Sequence, residues 1–278
     1  MLHLRRGTLI SFFSSGFPSH VRGNAIDVSS PDMENFLSPI EGKVEKIIKV
    51  KIGRPNKFAK VNYDYVIYME TPQGKLKLLH VEPEVKEGEE VKIGSFVGKF
   101  LENPYTGGDF PHAHIEGIPI ELPRIKKYDE EASAIVVNVS EFYFDVEFSK
   151  YAEAGELHGL GCCGGILNAS LLYAGYAGII GKEIISKEIS ILGIPFYVSK
   201  IGKNYTIVEA IQGLVENWEF GPSFKVLAGE PVYGKPIFES ILSWGGKPRI
   251  RFFISSKYKE GDVVNVWRII GSYMGRKV

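Results

Sequence analysis

The chain has six histidines among 278 residues, and two of them share one tripeptide, His112-Ala113-His114, within GGDFPHAHIEG (residues 107–117). Along a strand, positions two apart point to the same face. Both imidazoles would therefore project side by side, with Ala113 and Ile115 packed behind. Two rings on one face can bind a metal, or one can bind while the other handles protons. Taken alone, a His-x-His pair is more often two surface residues than a site. The rest of the chain shifts that balance. His20 lies ahead of a Gly23-Asn24 turn and Asp27 lies beyond it, and a hairpin would return the two side chains to one place. Catalytic zinc takes three nitrogen, oxygen or sulfur ligands and keeps a fourth position for water. Together with PHAH, His20 and Asp27 supply a His/Asp/His set of suitable type. His112 and His80 are left over for the acid/base and oxyanion work of hydrolysis.

The elements that must position these residues are short strands. AIDV (25–28) follows the Gly23-Asn24 turn. PIEGKVEKIIKVKI is expected as strand, Gly42 turn, strand. DYVIYMETPQGKLKLLHV alternates apolar residues on both sides of Pro72-Gln73-Gly74, the pattern of a hairpin. VKEGEEVKIGSFVGKF adds two short strands broken by Gly88, Gly94 and Gly98. No amphipathic helix of three turns is expected here. The spacing of turn signals predicts a mainly β fold, an all-β barrel or sandwich over about 120 residues.

The segment 18–117 resembles the lysostaphin/LytM-type zinc metallopeptidases, a duplicated-hybrid-motif β fold. The likeness rests on His20 and Asp27, then SPIEGKVEKI, then LHVEPEVKEGEEVKIGSFVGKF opened by His80, then FPHAHIE, in that order. It covers most of the first 120 residues. It implies one zinc ion per chain held by His20, Asp27 and His114. It also implies His112 as general base on the zinc-bound water, and His80 as the group that stabilises developing negative charge or positions the water. Peptides or peptide cross-links are the implied substrates. Glu116 follows on the same strand face and is either an orienter of a ligand imidazole or a solvated surface charge. The sequence departs from the family pattern in its long His20-to-Asp27 spacing, in Val-Glu after His80, and in a Gly107-Gly108 loop ahead of the His-x-His pair.

Past this region lies a charged, Pro123-containing stretch, IELPRIKKYDEE (120–131), read as a linker. The expected division is a β domain over 1–122 and a second, β-rich domain over 130–278. In the second part SAIVVNVSEFYFDVEF, ISILGIPFYVSKIG, FKVLAG and KPRIRFFISS are strand-like. YTIVEAIQGLVENWEF has Ile207, Ala210, Ile211, Leu214 and Val215 at helical spacing, and GDVVNVWRIIGSYMG fits either state. Cys162 and Cys163 are adjacent, so they cannot staple distant segments. A metal at this pair is a weaker reading than packing in a Gly-rich turn. The uncharged stretch LGCCGGILNASLLYAGYAGIIG is punctuated by glycines and reads as buried β-structure, not a membrane span.

Lysine plus arginine and aspartate plus glutamate stand at 33 each, so the formal net charge is +0. That balance argues against nucleic acid or an anionic membrane as main partner. The N-terminal MLHLRRGTLISFFSSGF is broken by Ser11, Ser14 and Ser15, short of a signal-peptide core, which makes a cytoplasmic location the expectation. Two alternatives to a peptidase follow from the same residues. One is a non-catalytic metal-binding or interaction module on this fold. The other is a phosphohistidine or carrier-type protein, for which His80 and His112 could face each other, although no lysine sits in a carrier context.

Overall fold

The structure is a computed structural model that describes residues 2–14, 18–52, 58–106, 108–171, 176–191, 193–210 and 238–273. The fold is mainly β, built from antiparallel pairings. The first half holds β1 (Leu9–Ser11), a single helical turn α1 (Pro18–Val21), β2 (Ala25–Val28), β3 (Asn35–Leu37), β4 (Gly42–Lys51), β5 (Tyr63–Thr71), β6 (Gly74–Leu79), β7 (Val81–Pro83), β8 (Glu90–Val91), β9 (Phe96–Phe100) and β10 (Ala113–Glu116). Hydrogen bonding sets seven of these in the order β8-β4-β5-β6-β10-β2-β1. A small second sheet runs β3-β9-β7. Among the described residues these sheets do not close into a barrel.

The second half adds β11 (Ile125–Lys127), β12 (Ser133–Val139), β13 (Phe144–Phe148), β14 (Ala152–Ala154), β15 (Leu157–Cys162), β16 (Gly165–Leu171), β17 (Tyr176–Ile180), β18 (Glu188–Ile191), β19 (Ile194–Gly202), β20 (Tyr205–Ala210), β21 (Phe238–Trp244), β22 (Arg249–Phe252), β23 (Val263–Asn265) and a closing helix α2 (Val266–Tyr273). Among the described residues, strand β21 joins the halves. β21 pairs with β16 and β22 through its first residues, and with β15 and β1 through its last. Within the stretch expected as a linker, β11 pairs with β14.

Packing follows the same route. One apolar cluster contains Ile26, Ile67, Leu78 and Ile115 from the first half together with Ala152, Leu157, Ile166, Ile207 and Leu242 from the second. The other, around Phe144, Phe148, Phe196 and Phe252, belongs to the second half. Phe13 and Gly178 show how close the halves come: a Cβ added to Gly178 would fall 2.0 Å from the Phe13 ring. The described parts of the Gly-rich stretch thus form largely buried strands whose missing side chains admit neighbours, as the composition suggests.

Several local expectations change. Gly42 is not a turn but the first residue of β4, where a Cβ would sit 2.6 Å from the Glu70 carbonyl oxygen. Residues 205–210 form strand β20, not helix. β20 lies between β17 and β19, so Thr206, Ile207 and Val208 are all buried. A strand covered on both faces loses its period-two signal, which is why helical spacing could mimic it. Ile211, Leu214, Val215 and FKVLAG lie outside the described residues. The ambiguous tail is both states in succession, β23 and then α2. No helix among the described residues is long and apolar enough to cross a membrane.

Candidate metal centre

β10 is the centre of the site because it lies between β2 and β6. Its register places His114 opposite Asp27 on one side and Leu79 on the other. His80 therefore arrives one residue beyond the end of β6. His20 comes from α1 and not from a hairpin strand: the helical turn ends in a Gly23 N–H to His20 carbonyl bond of 2.8 Å, and Asn24 then leads into β2. This one-turn helix accommodates the long spacing between His20 and Asp27.

Three ligand atoms converge. His20 Nε2 lies 3.2 Å from Asp27 Oδ1 and 3.0 Å from His114 Nδ1, and His114 Nδ1 lies 2.8 Å from Asp27 Oδ1. All three residues are buried, and their candidate ligand atoms lie within 4.8 Å of one another. The remaining ring nitrogens are already engaged. His20 Nδ1 donates to the Phe12 carbonyl at 2.8 Å. His114 Nε2 lies 3.2 Å from Glu116 Oε1 and 3.3 Å from Ser19 Oγ. Such outer partners fix the tautomer that leaves the inward nitrogen's lone pair for a cation. The donor set of two imidazoles and a carboxylate thus fits a nitrogen/oxygen-binding divalent ion.

The electrostatics follow from this crowding. Burial would raise the Asp27 pKa, but His20, His112 and His114 together hold it well below the usual carboxylate range. Burial likewise opposes charge on His114, yet its bonds to Asp27 and Glu116 lift it to about 9. Glu116 is pulled down to about 2 by His114, against its partial burial and with help from Lys77. Burial pushes His112 down to about 4.

His112 and His80 stand beside the trio. His112 Nδ1 donates to the Phe110 carbonyl at 2.7 Å, so the lone pair sits on Nε2, 3.9 Å from Asp27 Oδ1. The His80 ring packs edge-on against His112 at 5.4 Å between centroids and lies 5.9 Å from His114. The five residues expected from the sequence are therefore together in space. His80 has φ of 65°, a left-handed conformation uncommon outside glycine and enriched in functional sites. Asp64, which the sequence reading passed over, holds it there. Its carboxylate accepts the His80 backbone N–H at 2.9 Å and Nδ1–H at 2.6 Å. Burial would raise the Asp64 pKa, but these contacts with His80 lower it. The available signal was an acid inside the alternating strand DYVIYME.

The second half braces the site through two further residues not anticipated. Asn168, on β16 and fully buried, accepts the N–H groups of Phe12 and Phe13 at 2.7 and 2.8 Å and donates to the Ser240 carbonyl at 2.8 Å. It thereby fixes the carbonyl that holds His20. Glu239, on β21, accepts the Phe110 N–H at 3.2 Å and the Ser14 hydroxyl at 3.3 Å, steadying the loop whose carbonyl holds His112.

Residues 2–121 are similar to a family model described as the N-terminal domain of a domain of unknown function, DUF8155. No curated protein and no solved structure matches the chain.

Proposed function

We propose that the protein is a zinc-dependent hydrolase of peptide or other amide bonds, of the lysostaphin/LytM type that the sequence resembles. One observation carries this reading. His20 Nε2, Asp27 Oδ1 and His114 Nδ1 converge while the outward nitrogens of both rings are committed to Phe12 and Glu116. Zinc, when bound, supplies a Lewis acid and a water of lowered pKa.

The chain's own residues divide the remaining work. His112 keeps Nδ1–H on the Phe110 carbonyl, so Nε2 is the atom that accepts a proton from the attacking water and returns it to the leaving amine. His80, anchored through Nδ1–H to the Asp64 carboxylate, presents Nε2 beside it. From that position the His80 ring stabilises the oxygen on which negative charge develops or positions the attacking water. Supporting this reading over a phosphohistidine protein is the ligand carboxylate Asp27, 3.9 Å from His112 Nε2, where a transferred phosphoryl group would meet like charge.

Elemental analysis and hydrolysis of a peptide library test the proposal together. Full-length protein refilled with zinc should hold one equivalent, and His114→Ala should lose it. Protein that retains well under one equivalent, or that holds zinc and cleaves no amide bond across a broad library, would overturn the hydrolase reading.

A further inference from the structure

Cys162 and Cys163 lie at the turn of the β15–β16 hairpin, in the sequence Gly161-Cys162-Cys163-Gly164-Gly165. Cys162 pairs with Gly165 across the hairpin, which leaves Cys163 and Gly164 as its two turn residues. Both have positive φ, 57° and 79°. This is the mirror-image turn that suits the twist of a hairpin and normally takes Asn, Asp or Gly at its first position. A cysteine is an unfavourable choice there on conformational grounds, so packing alone does not account for it. The turn leaves the two sulfurs 3.0 Å apart, with Cys162 buried and Cys163 half-buried.

The surroundings favour a thiolate on the outer sulfur. A Cβ added to Gly164 would fall 2.5 Å from Lys182 Nζ, so the ammonium lies over the turn. The Cys162 thiol, as donor to Cys163, and then Lys182 lower the Cys163 pKa against the opposing effects of burial and Glu130. The same hydrogen bond, with burial, raises Cys162. An accessible, activated thiol beside a resolving thiol is the arrangement found in oxidation-sensitive pairs.

We propose that Cys162 and Cys163 form a thiol-oxidation site, which a peroxide closes to a disulfide between chain neighbours. The Cys163 thiolate attacks a peroxide oxygen, the O–O bond breaks, and the departing hydroxide takes up a proton as water, leaving a sulfenic acid. The Cys162 sulfur then attacks the Cys163 sulfur. The S–O bond breaks, and the hydroxyl leaves as water with the Cys162 proton. Two thiols lose two electrons in all, and one peroxide becomes two waters.

Reduced full-length protein exposed to hydrogen peroxide tests the site. Thiol titration in denaturant should fall from two groups to none, and the proteolytic peptide carrying both cysteines should become lighter by two hydrogen atoms. Dithiothreitol should restore both thiols. Cys162→Ser should instead stop at oxygen adducts on Cys163, and Cys163→Ser should keep its thiol under the same treatment. Retention of both wild-type thiols, oxygen adducts without the internal disulfide, or chains linked to one another would each overturn the proposal. Because the readout is sulfur chemistry and not metal content or hydrolysis, its outcome is independent of the hydrolase reading.

Discussion

At the scale of the residue, each ring in the cluster has one nitrogen tied back and one turned inward, and that division sets what each substitution should do. His112→Ala and His80→Ala remove none of the three proposed ligand atoms, so both variants should keep zinc while activity collapses. Loss of a positioned acid/base group costs about 10²–10⁴-fold in rate, and loss of an oxyanion donor about 10²–10³-fold. If His112→Ala lost zinc as completely as His114→Ala, the wrong member of the pair has been assigned to the metal. Glu116→Gln weakens the acceptor at His114 Nε2 without touching the inward nitrogen. Zinc affinity, measured by competition with a chelator, should fall about 10–100-fold; an unchanged affinity would leave Glu116 as no more than a partner for Lys77. That His20, Asp27, His80, His112 and His114 would come together was legible because histidine is rare in this chain and its spacing is informative. Asp64 was not, because its bond to His80 spans sixteen positions and depends on the register of β5 against β6, which the local pattern does not specify.

At the scale of the element, the site depends on four strands, one helical turn and two loops held from outside. The strands were readable from alternation and turn residues: β2, the β5–β6 hairpin and β10 fall where the sequence places them. The one-turn helix carrying His20 was not readable, since Pro18-Ser19-His20-Val21 is too short for a periodic signal. Strand β20 was misleading for a different reason, being buried at successive positions. Asn168 connects the elements most directly. Asn168→Ala would leave the buried N–H groups of Phe12 and Phe13 without their acceptor, at about 1–3 kcal/mol for each unsatisfied group. With the Phe12 carbonyl no longer fixed, His20 loses its anchor. The variant should therefore melt earlier and bind zinc about 10–100-fold more weakly. A variant that melts earlier yet binds zinc as tightly as wild type would show that His20 is held independently of β16.

At the scale of the whole molecule, buried charge couples stability to pH. Glu239 is pushed up to about 7, chiefly by burial and further by Asp27, against the pull of Arg251. Between the unfolded value near 4.3 and about 7, the folded state holds a proton that the unfolded chain has released. Stability therefore falls as pH rises through that window, by at most about 1.4 kcal/mol per pH unit from this group, and the effect levels off above it. Glu239→Gln removes the titration. Urea unfolding across this range should show a shallower decline for the variant than for wild type; equal slopes would show that other groups carry the dependence. Glu239 and its partner Phe110 are 129 positions apart, so no sequence pattern announced them. The same long-range character hid the joining role of β21, whose sequence, FESILSW, was not among the segments read as strands.

The pairing of β1 with β21 bears on any attempt to use the first half alone. Leu9 and Ile10 lie opposite Ser243 and Leu242 in the β1–β21 pairing of the intact chain. A fragment ending near residue 122 would turn that side of β1 to water as an open sheet edge, with unpaired N–H and C=O groups ready to recruit another strand. The cheapest partner in a pure preparation is the β1 of a second fragment. Sedimentation of such a fragment should show mass rising with concentration, and Ile10→Pro, which removes one edge donor, should suppress it. A fragment that stays monomeric at all concentrations would mean that the edge is covered from within. Self-association of this kind would be a product of excision, not a property of the parent protein.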